Sequence, residues 1–199
     1  MPKIKICGIK RLEDIGIVNK YKPDYIGFVF AESKRKVTRD LAYRLKQDLD
    51  ADIIAVGVFV DSPVEEIVEL FEAGIIEMAQ LHGSENEQYI QNLKQRTDDE
   101  LKIINAIEIS KDTDLLKFDN SQSDYLLFDS GKGSGKTFDW NLIKKDIKKE
   151  FFLAGGLSSS NVLEAIEQFN PYAVDLSSSL ETDGVKDENK IKEIMELIR

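Results

Sequence analysis

The chain has 199 residues, which is enough for one well-buried core or two small domains. Its formal net charge of −10 argues against nucleic acid or a membrane surface as a main partner, because both attract basic patches, and no apolar run approaches the roughly 20 residues that span a membrane. The chain begins without a signal-peptide core and contains a single cysteine, so no internal disulfide can form and we expect a cytoplasmic protein.

Eight short runs rich in Ile, Val, Phe and Tyr predict β-strands, because these residues suit buried, pleated surfaces. In chain order the predicted strands lie at residues 3–7, 25–30, 53–60, 76–81, 101–107, 124–129, 151–154 and 172–177. Apolar residues at three- and four-residue spacing predict intervening helices at 12–21, 39–49, 63–71, 86–95, 140–149, 160–169 and 188–198. The stretch 111–119 is short and weakly amphipathic, so we expect a stunted helix or a loop there.

The regular alternation of strand and helix indicates an α/β protein with a parallel sheet. Eight repeats predict a closed (β/α)₈ barrel, which at this length is more compact than the typical ~250 residues. No linker divides the chain, so we expect a single barrel domain over residues 1–199. The alternative is an open doubly wound sheet, which rarely needs eight regular units. In a parallel barrel the active site lies at the C-terminal ends of the strands.

Two chemically active side chains, Cys7 and Asp129, lie where predicted strands end. A lone cysteine is usually an inert, buried residue. Cys7, however, precedes Gly8 and shares strand parity with Lys3 and Lys5, and a lysine ammonium favours the thiolate, so we predict that Lys5 tunes the thiol. Asp129 is either a loop cap or a buried acid with a raised pKa that can donate a proton. Across a barrel mouth the two would face each other as base and acid.

Small residues follow the seventh and eighth predicted strands, as Gly155-Gly156 and Ser177-Ser178. In barrels these two loops often bind phosphate through backbone N–H groups and a short helix N-terminus. Glycine permits close approach and serine adds a hydroxyl, whereas a pair of ordinary turns is the alternative. We predict that all four residues bind phosphate.

The segment G-K-G-S-G-K-T at residues 131–137 is similar to a nucleotide-binding P-loop. The P-loop pattern requires glycine where Ser130 stands, and the next predicted helix begins too late to receive phosphates. We therefore interpret the segment as a loop that covers a substrate after the sixth strand.

Three further polar residues lie near predicted strand ends. Arg35 follows the second strand and could bind a substrate carboxylate with its guanidinium fork, although a solvated surface is the alternative. Gln80 and His82 share strand parity and should point into the barrel, where we place them as substrate-binding residues; a structural histidine is the alternative. No second His or Cys cluster accompanies His82, so we expect no metal site.

Together these segments resemble the phosphoribosylanthranilate isomerases of tryptophan biosynthesis. The resemblance runs in order over essentially the whole chain. The matching segments are K-I-C-G-I at 5–9, G-F-V-F at 27–30, S-K-R at 33–35, V-G-V-F-V at 56–60, Q-L-H-G at 80–83, L-F-D at 127–129, G-S-G-K-T-F-D-W at 133–140, L-A-G-G-L at 153–157 and V-D-L-S-S at 174–178.

The resemblance implies an Amadori rearrangement of a small phosphoribosyl substrate in a barrel that needs no cofactor or metal. By the family pattern, Asp129 is the general acid that protonates the ribose ring oxygen, and Cys7 is the general base that removes the C2′ proton. Arg35 would hold the anthranilate carboxylate, and Asp175 would lie near the sugar or the anthranilate. The family pattern also places the phosphate on the two loops that follow the last strands.

One position departs from the family, which usually has S-S-G where this chain has Ser177-Ser178-Ser179. A glycine at residue 179 would allow a positive φ or a close approach that serine resists. The related isomerase of histidine biosynthesis carries aspartate as the base on its first strand, so Cys7 argues against it. A dual-substrate isomerase and a non-catalytic phosphosugar-binding barrel remain as alternatives. We expect a monomer, with a homodimer as the alternative.

Overall fold

Eight parallel strands form a closed barrel in the computed structural model, which describes residues 1–111, 113, 115–129, 143 and 147–199. The barrel strands are β1 (Lys3–Cys7), β2 (Tyr25–Val29), β3 (Ile54–Phe59), β4 (Met78–Leu81), β5 (Lys102–Glu108), β6 (Tyr125–Asp129), β7 (Phe151–Leu153) and β8 (Ala173–Leu176). Each strand pairs with its neighbours in sequence, and β8 pairs in parallel with β1. The predicted (β/α)₈ barrel is confirmed, and the open-sheet alternative is wrong.

Helices connect the strands on the outside of the barrel. They are α1 (Leu12–Tyr21), α2 (Arg39–Gln47), α3 (Val64–Glu72), α4 (Glu87–Arg96), α5 (Val162–Phe169) and α6 (Glu188–Ile198). Between β5 and β6 the described residues form a 3₁₀ helix, Leu115–Asn120, in agreement with the short element predicted there. Most of the helix predicted at 140–149, and all of the loop at 131–137, lie outside the described residues. None of the described helices is long and apolar enough to cross a membrane.

The barrel is filled from its N-terminal end by apolar side chains. Strand alternation directs residues such as Tyr25, Val56 and Phe152 into one interior cluster, while a separate, larger cluster packs the outer face of the strands against the helices. Near the C-terminal ends, Cys7, Val29 and Val58 form a small third cluster. Among the described residues, the interior side chains Lys5, Gln80 and Asp175 therefore lie above this largely apolar layer, toward the C-terminal mouth.

A two-stranded antiparallel hairpin follows β8, in a stretch to which the sequence pattern assigned neither a strand nor a helix. A 3₁₀ turn, Ser178–Leu180, leads into β9 (Glu181–Thr182), which pairs with β10 (Val185–Lys186). The two turn residues between them, Asp183 and Gly184, both have positive φ values of 52° and 77°. Positive φ at both positions is typical of a type I′ turn, whose twist suits a two-residue hairpin loop.

Candidate active site

A cavity of about 670 Å³ opens at the C-terminal ends of the barrel strands. All the sequence-predicted site residues except Lys5 line it: Cys7, Arg35, Gln80, His82, Asp129, Gly155, Gly156, Asp175, Ser177 and Ser178. Apolar side chains such as Val58 and Leu127 complete the wall. Lys5 is fully buried, one inward-facing position below Cys7 on β1. The cavity combines an apolar surface with a few convergent polar groups, as ligand-binding pockets do.

Cys7 lies at the end of β1, beside Gly27 of β2. The glycine makes room for the thiol, because a Cβ atom at residue 27 would lie 2.7 Å from the Cys7 Sγ. Burial raises the pKa of the Cys7 thiol, and the neighbouring Lys5 ammonium lowers it only in part. Lys5 therefore lowers the pKa of the thiol, but desolvation has the larger effect and the pKa stays above its ordinary value.

An interior ion pair lies beneath the thiol. The Lys5 Nζ donates a hydrogen bond of 2.8 Å to the Oδ2 of Asp175 on the adjacent strand β8. Burial opposes the charge on Lys5, but the attraction of Asp175 and Cys7 prevails and raises the pKa of Lys5. The other carboxylate oxygen of Asp175, Oδ1, is buried and has no hydrogen-bond partner among the described residues. A buried acceptor of this kind is costly until a ligand supplies a donor.

His82 links the fourth and sixth strands across the cavity. Its Nε2 lies 3.3 Å from the Asp129 Oδ2, and its Nδ1 lies 3.1 Å from the Gln80 Nε2. If the Gln80 amide donates to Nδ1, the ring proton resides on Nε2 and points at the Asp129 carboxyl. Gln80 and His82 both line the cavity, in agreement with the inward direction that their shared parity predicts, and in this tautomer the Gln80 amide orients the imidazole toward Asp129.

The loops after β7 and β8 meet at one side of the cavity mouth. Gly155 and Gly156 have φ values of 84° and 70°, a region that glycine enters without strain. The Ser177 hydroxyl donates a 3.1 Å hydrogen bond to the Cys7 carbonyl, so this hydroxyl proton is already committed to the backbone. Ser179 has no positive φ, and the left-handed conformation considered for this position is absent.

Arg35 binds Glu181 of the hairpin, and Glu181 in turn binds Lys186; neither hairpin residue carried a strong sequence signal. Its Nε and Nη2 donate hydrogen bonds of 2.7 and 2.8 Å to the two carboxylate oxygens of Glu181. Lys186, which is 4% exposed, donates to Glu181 at 2.9 Å and to the Ser177 carbonyl at 3.0 Å. The dipeptide Asp183-Gly184 was the available signal, since such a pair between short strands is typical of a hairpin.

This arrangement leaves one edge of Arg35 for a ligand. Glu181 binds the Nε–Nη2 edge of the Arg35 guanidinium. No described residue binds its Nη1–Nη2 edge, and Arg35 lines the cavity. A carboxylate can bind either edge of a guanidinium in a bidentate manner. Arg35 can therefore bind a substrate carboxylate in a bidentate manner, but only through its Nη1–Nη2 edge.

The features of this site are typical of a barrel enzyme. A thiol and a carboxyl lie at the C-terminal mouth of a closed (β/α)₈ barrel, beside glycine- and serine-containing loops that follow the last two strands. A family model described as "N-(5'phosphoribosyl)anthranilate (PRA) isomerase" matches residues 4–197. The chain belongs to this family of isomerases, which confirms the resemblance seen in its sequence motifs.

Individual relatives agree along the full length of the chain. An N-(5'-phosphoribosyl)anthranilate isomerase of Endomicrobium trichonymphae is 47% identical over 204 residues, covering 100% of this chain and 99% of the relative. The crystal structure of phosphoribosyl anthranilate isomerase from Thermotoga maritima superposes with a TM-score of 0.89 at 33% identity, covering 99% of this chain and 98% of that one. Another solved isomerase, in complex with reduced 1-(o-carboxyphenylamino)-1-deoxyribulose 5-phosphate, has a TM-score of 0.86 at 33% identity, with 98% and 97% covered.

Proposed function

We propose that this chain converts N-(5'-phosphoribosyl)anthranilate into 1-(2-carboxyphenylamino)-1-deoxyribulose 5-phosphate, with Asp129 as general acid and Cys7 as general base. The observation that carries the proposal is the placement of a lone thiol and a carboxyl around one cavity, at the ends of β1 and β6. The family assignment supports the overall reaction, and the geometry supports the choice of residues.

The proton transfers follow from this placement. Asp129 donates a proton to the ribose ring oxygen as the bond from C1′ to that oxygen breaks, which opens the ring to an iminium ion. Cys7 as thiolate then removes the C2′ proton, and the resulting enolamine tautomerises to the ketone. Substrate and product are isomers, so the reaction needs no external electrons and we propose no cofactor or metal.

Burial makes the thiolate of Cys7 scarce before the substrate reacts, because burial raises the pKa of the thiol. The positive charge of the iminium ion changes this balance, since an adjacent cation favours the thiolate. The same charge makes the C2′ proton more acidic. Ring opening by Asp129 would therefore prepare both the base and its substrate for the second step.

The remaining groups are proposed to bind the substrate. Arg35 holds the anthranilate carboxylate on its Nη1–Nη2 edge, and the unpartnered Asp175 Oδ1 accepts a hydrogen bond from a sugar hydroxyl. His82, oriented by Gln80, contacts Asp129 and borders the same part of the substrate. Lys5 keeps Asp175 in place and stabilises the thiolate.

The phosphate is proposed to bind the N–H groups of the loops after β7 and β8. The conformations of Gly155 and Gly156 leave their backbone open to a close ligand, and Ser177 and Ser178 line the same side of the cavity. Because the Ser177 hydroxyl donates to the Cys7 carbonyl, the contribution of Ser177 is expected to come from its backbone.

We also propose that residues 1–199 form one barrel domain that acts as a monomer in the cytoplasm, with a homodimer as the alternative that light scattering would reveal. No observation favours the histidine-pathway isomerase or a dual-substrate enzyme over this proposal. Cys7 at the end of β1 still argues against the former.

The direct test is incubation of the chain with enzymatically generated N-(5'-phosphoribosyl)anthranilate in the presence of EDTA. We expect the ketose product, identified by chromatography and NMR. Binding of the reduced product analogue should weaken strongly when its phosphate is removed. Folded protein that forms no product would refute the proposed function, and equal binding of the dephosphorylated analogue would refute the phosphate site.

A further inference from the structure

A charged triad joins the loop after β2, which lines the cavity through Arg35, to the hairpin after β8. Arg35 comes from the loop after β2, while Glu181 and Lys186 lie opposite each other in the hairpin after β8. Both carboxylate oxygens of Glu181 bind Arg35, and Oε1 also accepts from Lys186. The acid–base chemistry proposed above does not require Glu181 or Lys186.

The hairpin itself places the two residues. The type I′ turn at Asp183 and Gly184 fixes the strand register so that Glu181 pairs directly with Lys186. Directly paired residues project to the same face of a hairpin, and here that face is turned inward, because the Lys186 side chain is only 1% exposed and that of Glu181 only 9%.

Two hydrogen-bonded basic side chains keep Glu181 ionised. Burial disfavours its charge, but the hydrogen bonds from Arg35 and Lys186 outweigh burial and lower the pKa of Glu181 to about 2. The carboxylate is therefore ionised at any neutral pH.

The triad also restricts where Arg35 can reach. The side chain of Arg35 packs across Gly8, where any Cβ atom would collide with its Cδ, so its stem crosses the chain immediately after Cys7. Glu181 fixes the far end of the same side chain. Lys186 ties Glu181 to the Ser177 carbonyl at the start of the β8 loop. The Arg35 side chain is thus held at its stem by Gly8 and at its guanidinium by Glu181 before a ligand binds.

We propose that Glu181 is a positioning residue that holds Arg35 with its Nη1–Nη2 edge toward the carboxylate of the substrate, and that Lys186 anchors Glu181 for this purpose. The inference rests on the proposed function, because that function supplies the carboxylate. Preorganisation of this kind increases affinity by removing the cost of ordering a long side chain at binding.

Two ligands separate this role from a purely structural one. They are the reduced product analogue, which carries the aromatic carboxylate, and the same compound without that carboxylate. Calorimetric titration of both into wild type and Glu181→Gln measures how much of the carboxylate's contribution depends on Glu181. We expect Glu181→Gln to weaken the carboxylate analogue by at least about tenfold and the decarboxylated compound by less than about threefold.

A matched control and a double mutant sharpen the measurement. Glu69→Gln removes the same charge from an exposed ion pair with Arg39 on the outer helices, and it should change neither affinity. In an Arg35→Lys background, Glu181→Gln should produce little further loss, because the two residues would act as one unit. If Glu181→Gln does not fold, Glu181→Asp, which retracts the carboxylate by one methylene, should show the same selective loss.

The outcomes distinguish the inference from the function on which it rests. Equal losses for both ligands, or no loss in Glu181→Gln, would overturn the positioning role while wild type still turns over substrate. Wild type that binds neither ligand and forms no product would overturn the proposed function itself.

Discussion

Replacing Lys5 with methionine removes the ammonium from a buried ion pair without leaving a large cavity. In wild type the Lys5 Nζ lies 2.8 Å from the Asp175 Oδ2 and interacts with the Cys7 thiol. The substitution therefore has two consequences. The thiol loses the cation that most strongly opposes the effect of burial on its pKa, and Asp175 is left as a buried carboxylate without the Lys5 ammonium.

The magnitudes follow from elementary electrostatics. Two charges about 4 Å apart at an effective dielectric of about 20 interact by about 4 kcal/mol. Asp175 cancels part of the Lys5 charge, but Lys5 is the largest influence that lowers the thiol pKa, so we expect that pKa to rise in Lys5→Met. Breaking a buried pair costs about 3–5 kcal/mol of unfolding free energy, less whatever Asp175 recovers by taking up a proton.

The assay is the rate of iodoacetamide alkylation as a function of pH, which reports on Cys7 alone because the chain has a single cysteine. Urea unfolding of the same proteins measures stability. Asp175→Asn should shift the alkylation profile to lower pH, because Asp175 raises the thiol pKa. The double variant should return close to wild type in both measurements, since it removes the pair together.

An unchanged alkylation profile in folded Lys5→Met would refute the reasoning, because it would mean that Lys5 has no electrostatic effect on the thiol. A double variant as unstable as Lys5→Met would show that the loss of stability does not come from the unpaired carboxylate.

Three further predictions concern other parts of the cavity. Gly27→Ala should displace the Cys7 Sγ, which would lie 2.7 Å from the new Cβ, so it should lower turnover and cost about 1–3 kcal/mol of unfolding free energy. Urea titrations compare it with Gly16→Ala, which should cost none because the space around Gly16 is open. Ser179→Gly should leave phosphate-analogue affinity unchanged or tighter in calorimetry, whereas a marked loss would identify the buried Ser179 hydroxyl as a ligand. Glu181 has a pKa of about 2 against an ordinary 4.5, so its contribution to the stability of the folded protein should be present above pH 4.5 and lost toward pH 2. Glu181→Gln should flatten that part of an acid-unfolding curve, and an equally steep curve would contradict the pairing of Glu181 with Arg35 and Lys186.

The alternation of strand-like and helix-like segments was sufficient to predict the barrel, because each strand is a short, mostly buried run bounded by polar or small residues. The strand ends at Cys7 and Asp129 followed directly, since a parallel barrel gathers these ends at one mouth. Both residues line the cavity, together with the glycines and serines of the last two loops.

Long-range partners could not be predicted in the same way. Arg35 and Glu181 are 146 positions apart in sequence, and strands of two residues, such as Glu181–Thr182, are too short to show alternation. The state of the Cys7 thiol was also beyond the sequence. The nearby Lys5 suggested a thiolate, but the opposing effect of burial depends on how completely the folded barrel excludes water.

The proposed acid and base are tested most directly by single-turnover conversion of N-(5'-phosphoribosyl)anthranilate. The rate is measured for wild type, Cys7→Ala and Asp129→Asn, together with the binding of the reduced product analogue to each protein. We expect each variant to bind the analogue nearly as wild type does and to lose about 10²–10⁴-fold in rate, as general acid–base groups typically contribute. A folded variant that retains near wild-type turnover would exclude its residue as the acid or the base, and wild type without turnover would contradict the assignment of both.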